Sequence, residues 1–234
     1  MTSTDIKPPT FPLRPMSGGN LDKNKFTGVG TYAFEPKVNG WRTLVHTPTG
    51  TMFNRQGERL SIEKEFKPAL DALKLAAEKD DLPEWLDCEA FERRHGLGRG
   101  SLVVFDMLAP RLPWHRRDEL LGEHLQCAQR RNSMFQPWAH EQFAPPANSI
   151  LWFAYNYERA EDQRANGEGR GGIIVDPDLT PEAAWPRLKA VNKAHDCELF
   201  EGLVAKRTDS LYPFQLVSPE KETSDWIKTR WRWS

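Results

Sequence analysis

The chain lacks the features that are typical of secreted proteins, of proteins with structural zinc sites and of membrane-spanning proteins. Its 234 residues include only three cysteines, Cys88, Cys127 and Cys197, which lie far apart and form no CxxC pair. Scattered cysteines in odd number argue against a disulfide framework and a structural zinc site, and are typical of a reducing compartment. The chain opens with no basic segment followed by an apolar run, and no apolar stretch is long enough to cross a bilayer. We therefore expect a cytoplasmic globular protein.

The sequence also lacks an excess of charge of either sign. Its formal net charge is −1, although 28% of its residues are charged. There is thus no bulk basic signal for nucleic acid, and any polyanion would have to bind to local basic patches. Arginines cluster at four places in the sequence, and each cluster could be a basic patch or an ordinary solvent-exposed face. The clusters are Arg93, Arg94 and Arg99; Arg111, Arg116 and Arg117; Arg130 and Arg131; and Arg230 and Arg232.

Strand and helix patterns are interspersed without βαβ regularity, which predicts a mixed α+β fold with antiparallel sheets. Residues 1–26 are rich in proline and predict a loosely structured or strap-like lead-in, followed by one domain over residues 27–234. A glycine-rich loop is expected at Ala165–Gly172. Helices are predicted at Phe66–Lys79, at His115–Arg131 and from Thr180 to about His195. Strands are predicted at Thr31–Lys37, Trp41–His46, Met52–Arg55, Trp85–Phe91, Ser101–Leu108, Ile150–Tyr155, Gly171–Val175, Phe200–Arg207 and Asp225–Trp233.

One lysine stands at the end of a predicted strand, just before a turn. Lys37 is followed by Asn39 and Gly40, and Gly40 would let the backbone approach a ligand closely. A lysine amine must lose its proton before it attacks an electrophile, and desolvation or nearby positive charge favours that loss. Lys206, Lys228 or a bound metal would supply the charge. An ordinary exposed lysine is the alternative, because a Lys-x-x-Gly-x-Arg match alone is weak.

Two carboxylates and an aromatic ring lie in further strand-like runs. Glu89 and Glu201 would coordinate Mg²⁺ or hold a ribose hydroxyl if strands placed them around a phosphate chain. Phe105 could stack on a purine, although a core position is the commoner use of a phenylalanine in such a run.

Three cations complete the set. Lys228 and Arg230 alternate along a strand and so point to one face, where together with Lys206 they would suit a phosphate chain. A charged edge strand is the alternative. One lysine, two separated carboxylates and these cations are the parts needed to form and hold a lysine–nucleotide phosphoramidate.

The ordered motifs resemble those of the covalent nucleotidyltransferases, and among them the catalytic core of ATP-dependent DNA ligases. The resemblance covers about residues 30–232 apart from 128–178, and implies an α+β, antiparallel-sheet nucleotidyltransferase (ATP-grasp-like) fold. The most specific matches are Glu35-Pro-Lys37-Val-Asn-Gly40-Trp-Arg42 and Glu201-Gly-Leu-Val-Ala-Lys206-Arg207. The others are Asn54-Arg55-Gln-Gly57, Leu86-Asp-Cys-Glu89, Val103-Val-Phe105-Asp106 and Trp226-Ile-Lys228-Thr-Arg230.

The resemblance implies that Lys37 attacks the α-phosphate of ATP, with Mg²⁺ as cofactor, and keeps AMP as a phosphoramidate. AMP then moves to the 5′-phosphate of a nick in duplex DNA, and the 3′-hydroxyl attacks, releases AMP and seals the strand. For the phosphates, the resemblance implies contacts by Lys206, Lys228 and Arg230, and contact with phosphate or the nick 5′ end by Arg42 and Arg55. It implies that Glu89 binds ribose or metal and that Glu201 binds metal. It implies that Phe105 stacks on adenine and that Glu35 lies near the adenine amino group.

The chain departs from the family pattern at three positions and at its end. Asn39 stands where the family usually has Asp, Cys88 where it usually has Gly, and Arg230 where Lys is more common. The family usually continues into an OB-fold domain, whereas only four residues follow Arg230. We therefore expect no OB-fold domain and slower self-adenylylation. The alternatives are a stand-alone catalytic domain, a truncated chain, or a chain whose partner protein supplies the missing part.

Three alternatives stay open. An RNA ligase shares this chemistry, since motifs do not reveal the 2′-hydroxyl contacts that separate the two substrates. A GTP-using capping enzyme is favoured only by the general Lys-x-x-Gly pattern. A non-catalytic nucleotide- or nick-binding subunit on a ligase scaffold fits Asn39 and the missing OB-fold domain, because a fold does not guarantee an activity, but it would not need Lys37.

Overall fold

The computed structural model describes residues 10–11, 15–20, 32–91, 96–138, 145–153, 181–213 and 222–231, and these residues form two sheets flanked by helices. The helices are α1 (Lys67–Lys79), α2 (Trp114–Gln129) and α3 (Pro181–Ala194), and a 3-10 helix at Glu63–Phe66 leads into α1. The strands are β1 (Ser17–Asn20), β2 (Tyr32–Val38), β3 (Trp41–His46), β4 (Thr51–Phe53), β5 (Trp85–Ala90), β6 (Leu102–Met107), β7 (Phe135–Pro137), β8 (Ile150–Trp152), β9 (Phe200–Arg207) and β10 (Glu222–Arg230).

The smaller sheet has the strand order β1-β10-β9-β2, and the larger sheet has the order β4-β3-β5-β6-β8-β7. The predicted α+β class with largely antiparallel pairing is confirmed. Three pairs are parallel, however: β1 with β10, β6 with β8, and β7 with β8. Parallel partners need a long connection. The connection includes α2 between β6 and β8, twelve residues between β7 and β8, and nearly the whole chain between β1 and β10.

Two hydrophobic cores position the sheets. One face of the larger sheet packs on α1 and α2, whose apolar residues recur every three or four positions. The other face meets the smaller sheet and α3. This second core includes Phe34, Val103, Leu188, Phe200 and Leu203, all of them buried. The two sheets therefore share one apolar seam, and side chains at its open end can meet from both sides.

Most predicted elements are confirmed, with differences at their ends. The strands Trp41–His46 and Phe200–Arg207 agree residue for residue, whereas the last strand is Glu222–Arg230 rather than Asp225–Trp233. Part of the 1–26 lead-in forms β1 and pairs with β10. Within the described residues, no helix is both long enough and apolar enough to cross a membrane. The predictions for Ala165–Gly172, Gly171–Val175 and Thr180, and the residues Arg93, Arg94 and Arg232, lie outside the described residues.

Candidate active site

A cavity of about 510 Å³ opens between the two sheets, and all ten residues that the sequence motifs indicated line it. The smaller sheet contributes Glu35, Lys37, Glu201, Lys206, Lys228 and Arg230. The larger sheet, with the turn after β4, contributes Arg42, Arg55, Glu89 and Phe105.

Lys37 lies near the end of β2 and is paired with a carboxylate. Its Nζ forms an ion pair with Glu201 Oε1, and the two side chains are 16% and 17% exposed. Nη2 of Arg230 donates to the same oxygen at 3.0 Å. Glu201 thus pairs with two cations at the mouth of the cavity.

Gly202 explains how Glu201 reaches this position. Strict strand alternation would place Glu201 on the face opposite to Val204 and Lys206, which line the cavity. Gly202 has a φ of 152°, and a Cβ there would lie 1.8 Å from the carbonyl oxygen of Thr229 on β10. Only glycine permits this backbone and this close approach of β9 to β10.

Gly40 plays a similar part for the second carboxylate. Its N–H donates to Glu89 Oε1 at 3.1 Å. A Cβ on Gly40 would lie 2.7 Å from the carbonyl oxygen of Ala90 and 2.8 Å from Glu89 Cγ. Burial raises the pKa of Glu89 to about 7, against the opposing charges of Lys37 and Arg42. Glu89 therefore changes its protonation state near neutral pH.

Lys206 lies at the inner end of the cavity, and its ammonium group is hydrogen-bonded to protein groups. Its Nζ donates to Glu35 Oε1 at 2.6 Å and to the carbonyl oxygen of Phe105 at 2.7 Å. It also lies 5.0 Å from the ring centroid of Phe105 and 4.7 Å from that of Trp226. The residue is only 1% exposed, so in this state Lys206 ties β9 to β6.

Arg42 is held just as closely. Its Nε and Nη2 donate to the two carboxylate oxygens of Asp87 at 3.0 and 2.7 Å, and its Nη1 donates to the carbonyl oxygen of Met16 at 2.9 Å. Burial lowers the pKa of Arg42, but the charge and hydrogen bonds of Asp87 outweigh this effect and raise it overall. The guanidinium carbon lies 5.6 Å from the ring centroids of both Phe105 and Trp226.

The sequence analysis gave no role to three residues around Arg42. Asp87 and Trp226 lie within quoted motifs, near residues that were given roles, but no pattern indicated Tyr212. The hydroxyl of Tyr212 donates to Asp87 Oδ2, and burial raises the pKa of Tyr212 well above its usual value. Trp226 lines the cavity, and its indole N–H is buried with no hydrogen-bond partner in the described part of the chain.

The donor set suits a magnesium ion shared with a ligand. No group of three or more His, Cys, Asp or Glu side chains among the described residues could hold a metal by itself. Glu89 and Glu201 nevertheless line one cavity together with cations. Mg²⁺ commonly takes one or two carboxylates plus substrate phosphates, and these two residues fit that requirement.

Comparison with known proteins identifies the fold. Neither a protein-family model nor a curated protein sequence matches the chain. The chain aligns with Pmar-Lig_PreS3 at 15% identity and a TM-score of 0.53, over 94% of this chain and 47% of the other. It aligns with the ligase domain of M. tuberculosis LigD at 18% identity and a TM-score of 0.51, over 93% and 59% of the two chains.

A third structure gives the same result. The Chlorella virus DNA ligase–adenylate aligns at 14% identity and a TM-score of 0.51, over 94% of this chain and 68% of the other. The chain therefore has the fold of ATP-dependent DNA ligase catalytic domains. It spans about half the length of Pmar-Lig_PreS3 and 59% of the LigD domain.

Proposed function

We propose that this domain transfers AMP from ATP to a polynucleotide end through a covalent lysyl–AMP intermediate, in the manner of a DNA ligase. The observation that carries the proposal is convergence. A lysine, two carboxylates, several cations and an aromatic ring come from distant parts of the chain and line one cavity, in a fold found in ligase catalytic domains. Fold alone would not support the activity.

The cavity divides into two ends. Phe105 and the Glu35–Lys206 pair form an inner end with an aromatic surface and a buried carboxylate, which suits a purine. Arg230 shares Glu201 with Lys37 at the outer end, and Lys228 lies two positions earlier on β10; both line the cavity and suit the phosphate chain. Glu89 and Glu201 would hold Mg²⁺, which supplies neutralisation of phosphate charge.

The first chemical step requires Lys37 to exchange its partner. A bound triphosphate competes with Glu201 for Lys37 and Arg230, so Lys37 leaves its ion pair and its proton passes to solvent. The neutral amine then attacks the α-phosphorus. The N–P bond forms, the bond between the α-phosphorus and the bridging oxygen breaks, and pyrophosphate leaves.

The later steps transfer AMP to nucleic acid. The 5′-phosphate of a nick displaces Lys37 from the adenylyl group, and the 3′-hydroxyl then displaces AMP and joins the strands. Nicked duplex DNA is the proposed substrate, and an RNA-containing end would support the same chemistry. Binding should weaken as salt rises, because phosphate contacts release counterions.

Intact mass after incubation with ATP and Mg²⁺ tests the first step. The wild-type protein should gain one AMP, and Lys37→Ala should gain none. Lys74→Ala, which changes a lysine on the outer side of α1, should gain AMP like the wild type. If the wild type gains no AMP and also fails to seal a nick that is already adenylylated, the proposed activity is wrong.

A non-catalytic nucleotide-binding subunit is the second candidate. The ion pair between Lys37 and Glu201 favours it, because a lysine held in an ion pair is not available as a nucleophile. This candidate predicts that ATP raises the melting temperature without any covalent gain in mass.

A further inference from the structure

Three of the five N–H groups of the Arg42 guanidinium are bonded within the protein. Asp87 accepts from Nε and Nη2, and the carbonyl oxygen of Met16 accepts from Nη1. The guanidinium carbon also lies over the rings of Phe105 and Trp226, 5.6 Å from each ring centroid. An arginine held in this way can organise aromatic rings by cation–π attraction.

Tyr212 completes the arrangement from outside the cavity. It is 3% exposed, and its hydroxyl donates to Oδ2 of Asp87, the oxygen that also accepts from Arg42 Nη2. Its ring packs edge-on against Trp226, with centroids 5.8 Å apart and an interplanar angle of 80°. Asp87 is fully buried, so the direction of its carboxylate depends on Arg42 and Tyr212.

We propose that Tyr212 is a positioning residue for the base end of the nucleotide site. Through Asp87 it fixes the guanidinium of Arg42, and Arg42 fixes the rings of Phe105 and Trp226 that a purine would meet. Tyr212 does not line the cavity and therefore acts only through these residues. The inference rests on the proposed function, which assigns Phe105 to the purine.

Two ligands that occupy different ends of the cavity test the proposal by calorimetry without catalysis. Tyr212→Phe keeps the ring and removes the hydroxyl. Its affinity for AMP should fall about tenfold, which corresponds to about 1.4 kcal/mol, whereas its affinity for tripolyphosphate should stay within about twofold. A general loosening of the fold would weaken both ligands alike. Tyr32→Phe is the matched control and should bind both ligands like the wild type, since Tyr32 lies on β2 and outside the cavity.

A double-mutant cycle tests the route through Arg42. Arg42→Lys keeps a charge but loses the paired hydrogen bonds to Asp87. In that background Tyr212→Phe should weaken AMP binding by less than about twofold, because coupled residues do not contribute additively.

The proposal is overturned if Tyr212→Phe binds AMP like the wild type, if it loses tripolyphosphate equally, or if the two losses multiply in full. A wild-type protein that binds AMP but never becomes adenylylated would contradict the proposed chemistry and leave this binding test intact. A wild-type protein that binds neither ligand would overturn both.

Discussion

Replacing Arg117 by methionine should lower the free energy of unfolding by about 3–5 kcal/mol, because it strands a buried carboxylate. Arg117 is 0% exposed and Asp106 is 2% exposed. Nε and Nη2 of Arg117 donate to the two carboxylate oxygens at 2.8 and 2.9 Å. Its Nη1 donates to the carbonyl oxygens of Leu112 and Ser210 at 2.7 and 3.2 Å. The replacement removes all four hydrogen bonds and leaves Asp106 with the amide of Met107.

The size of the effect follows from burial. Each hydrogen bond to a charged group is worth about 1.5–3 kcal/mol net, but methionine keeps apolar contacts of the arginine stem and the site relaxes. With a urea m-value of about 3 kcal/mol/M, the expected loss moves the unfolding midpoint down by about 1–2 M. Adding Asp106→Leu removes the stranded charge, and the double variant should recover more than half of the loss.

Urea unfolding followed by circular dichroism measures these midpoints. The control is Arg116→Met on the same helix, since Arg116 pairs with Glu119 through side chains that are 50% and 45% exposed. Its effect should stay below about 1 kcal/mol, as for other exposed ion pairs. Equal midpoints for the Arg116 and Arg117 variants would refute the reasoning, and so would a double variant less stable than Arg117→Met.

Three further predictions concern the cavity. The pKa of Glu89 is raised from 4.5 to about 7, so its contribution to the free energy of unfolding, without nucleotide or Mg²⁺, should fall as pH rises from about 4.5 to about 7. Glu89→Gln should remove this pH dependence of the free energy of unfolding. An unchanged pH dependence in the variant contradicts the assignment. Gly202→Ala should cost about 3 kcal/mol or more in urea unfolding, because its Cβ would overlap the carbonyl of Thr229, and a wild-type midpoint would exclude this packing. Asn39→Asp should cost about 0.5–1 kcal/mol, because the amide donates to the carbonyl oxygen of Glu198 at 3.0 Å and a carboxylate cannot; a gain in stability would show that this bond is unimportant.

Local patterns predicted the elements that carry the site because those elements are short strands rich in apolar residues. Lys228 and Arg230 were expected on one face, and both line the cavity with Trp226. The parallel pairs were not predictable in this way. β7 and β8 have three residues each, too few for a periodic signal, and β1 pairs with a strand about 200 residues away.

The motifs indicated which residues lie close together but not which charged partners they contact. The resemblance implied phosphate contact for Arg42 and Lys206, whereas the structure places these cations against Asp87 and Glu35. Glu35 is separated from Lys206 by 171 positions, and no sequence pattern marks a pairing over that distance. Tyr212 is a single aromatic residue outside any motif, so only the folded chain reveals its bond to Asp87.

The seam between the sheets has a mechanical consequence. A ligand that fills the cavity would touch Lys37 and Lys228 on one sheet and Glu89 and Phe105 on the other, and would therefore act as a removable crosslink between them. Occupancy should slow amide hydrogen exchange in β6 and β9, because opening the seam would first require the ligand to leave. The free energy of ligand binding should then equal the extra free energy needed to open the seam, so affinity and hydrogen exchange would measure the same quantity.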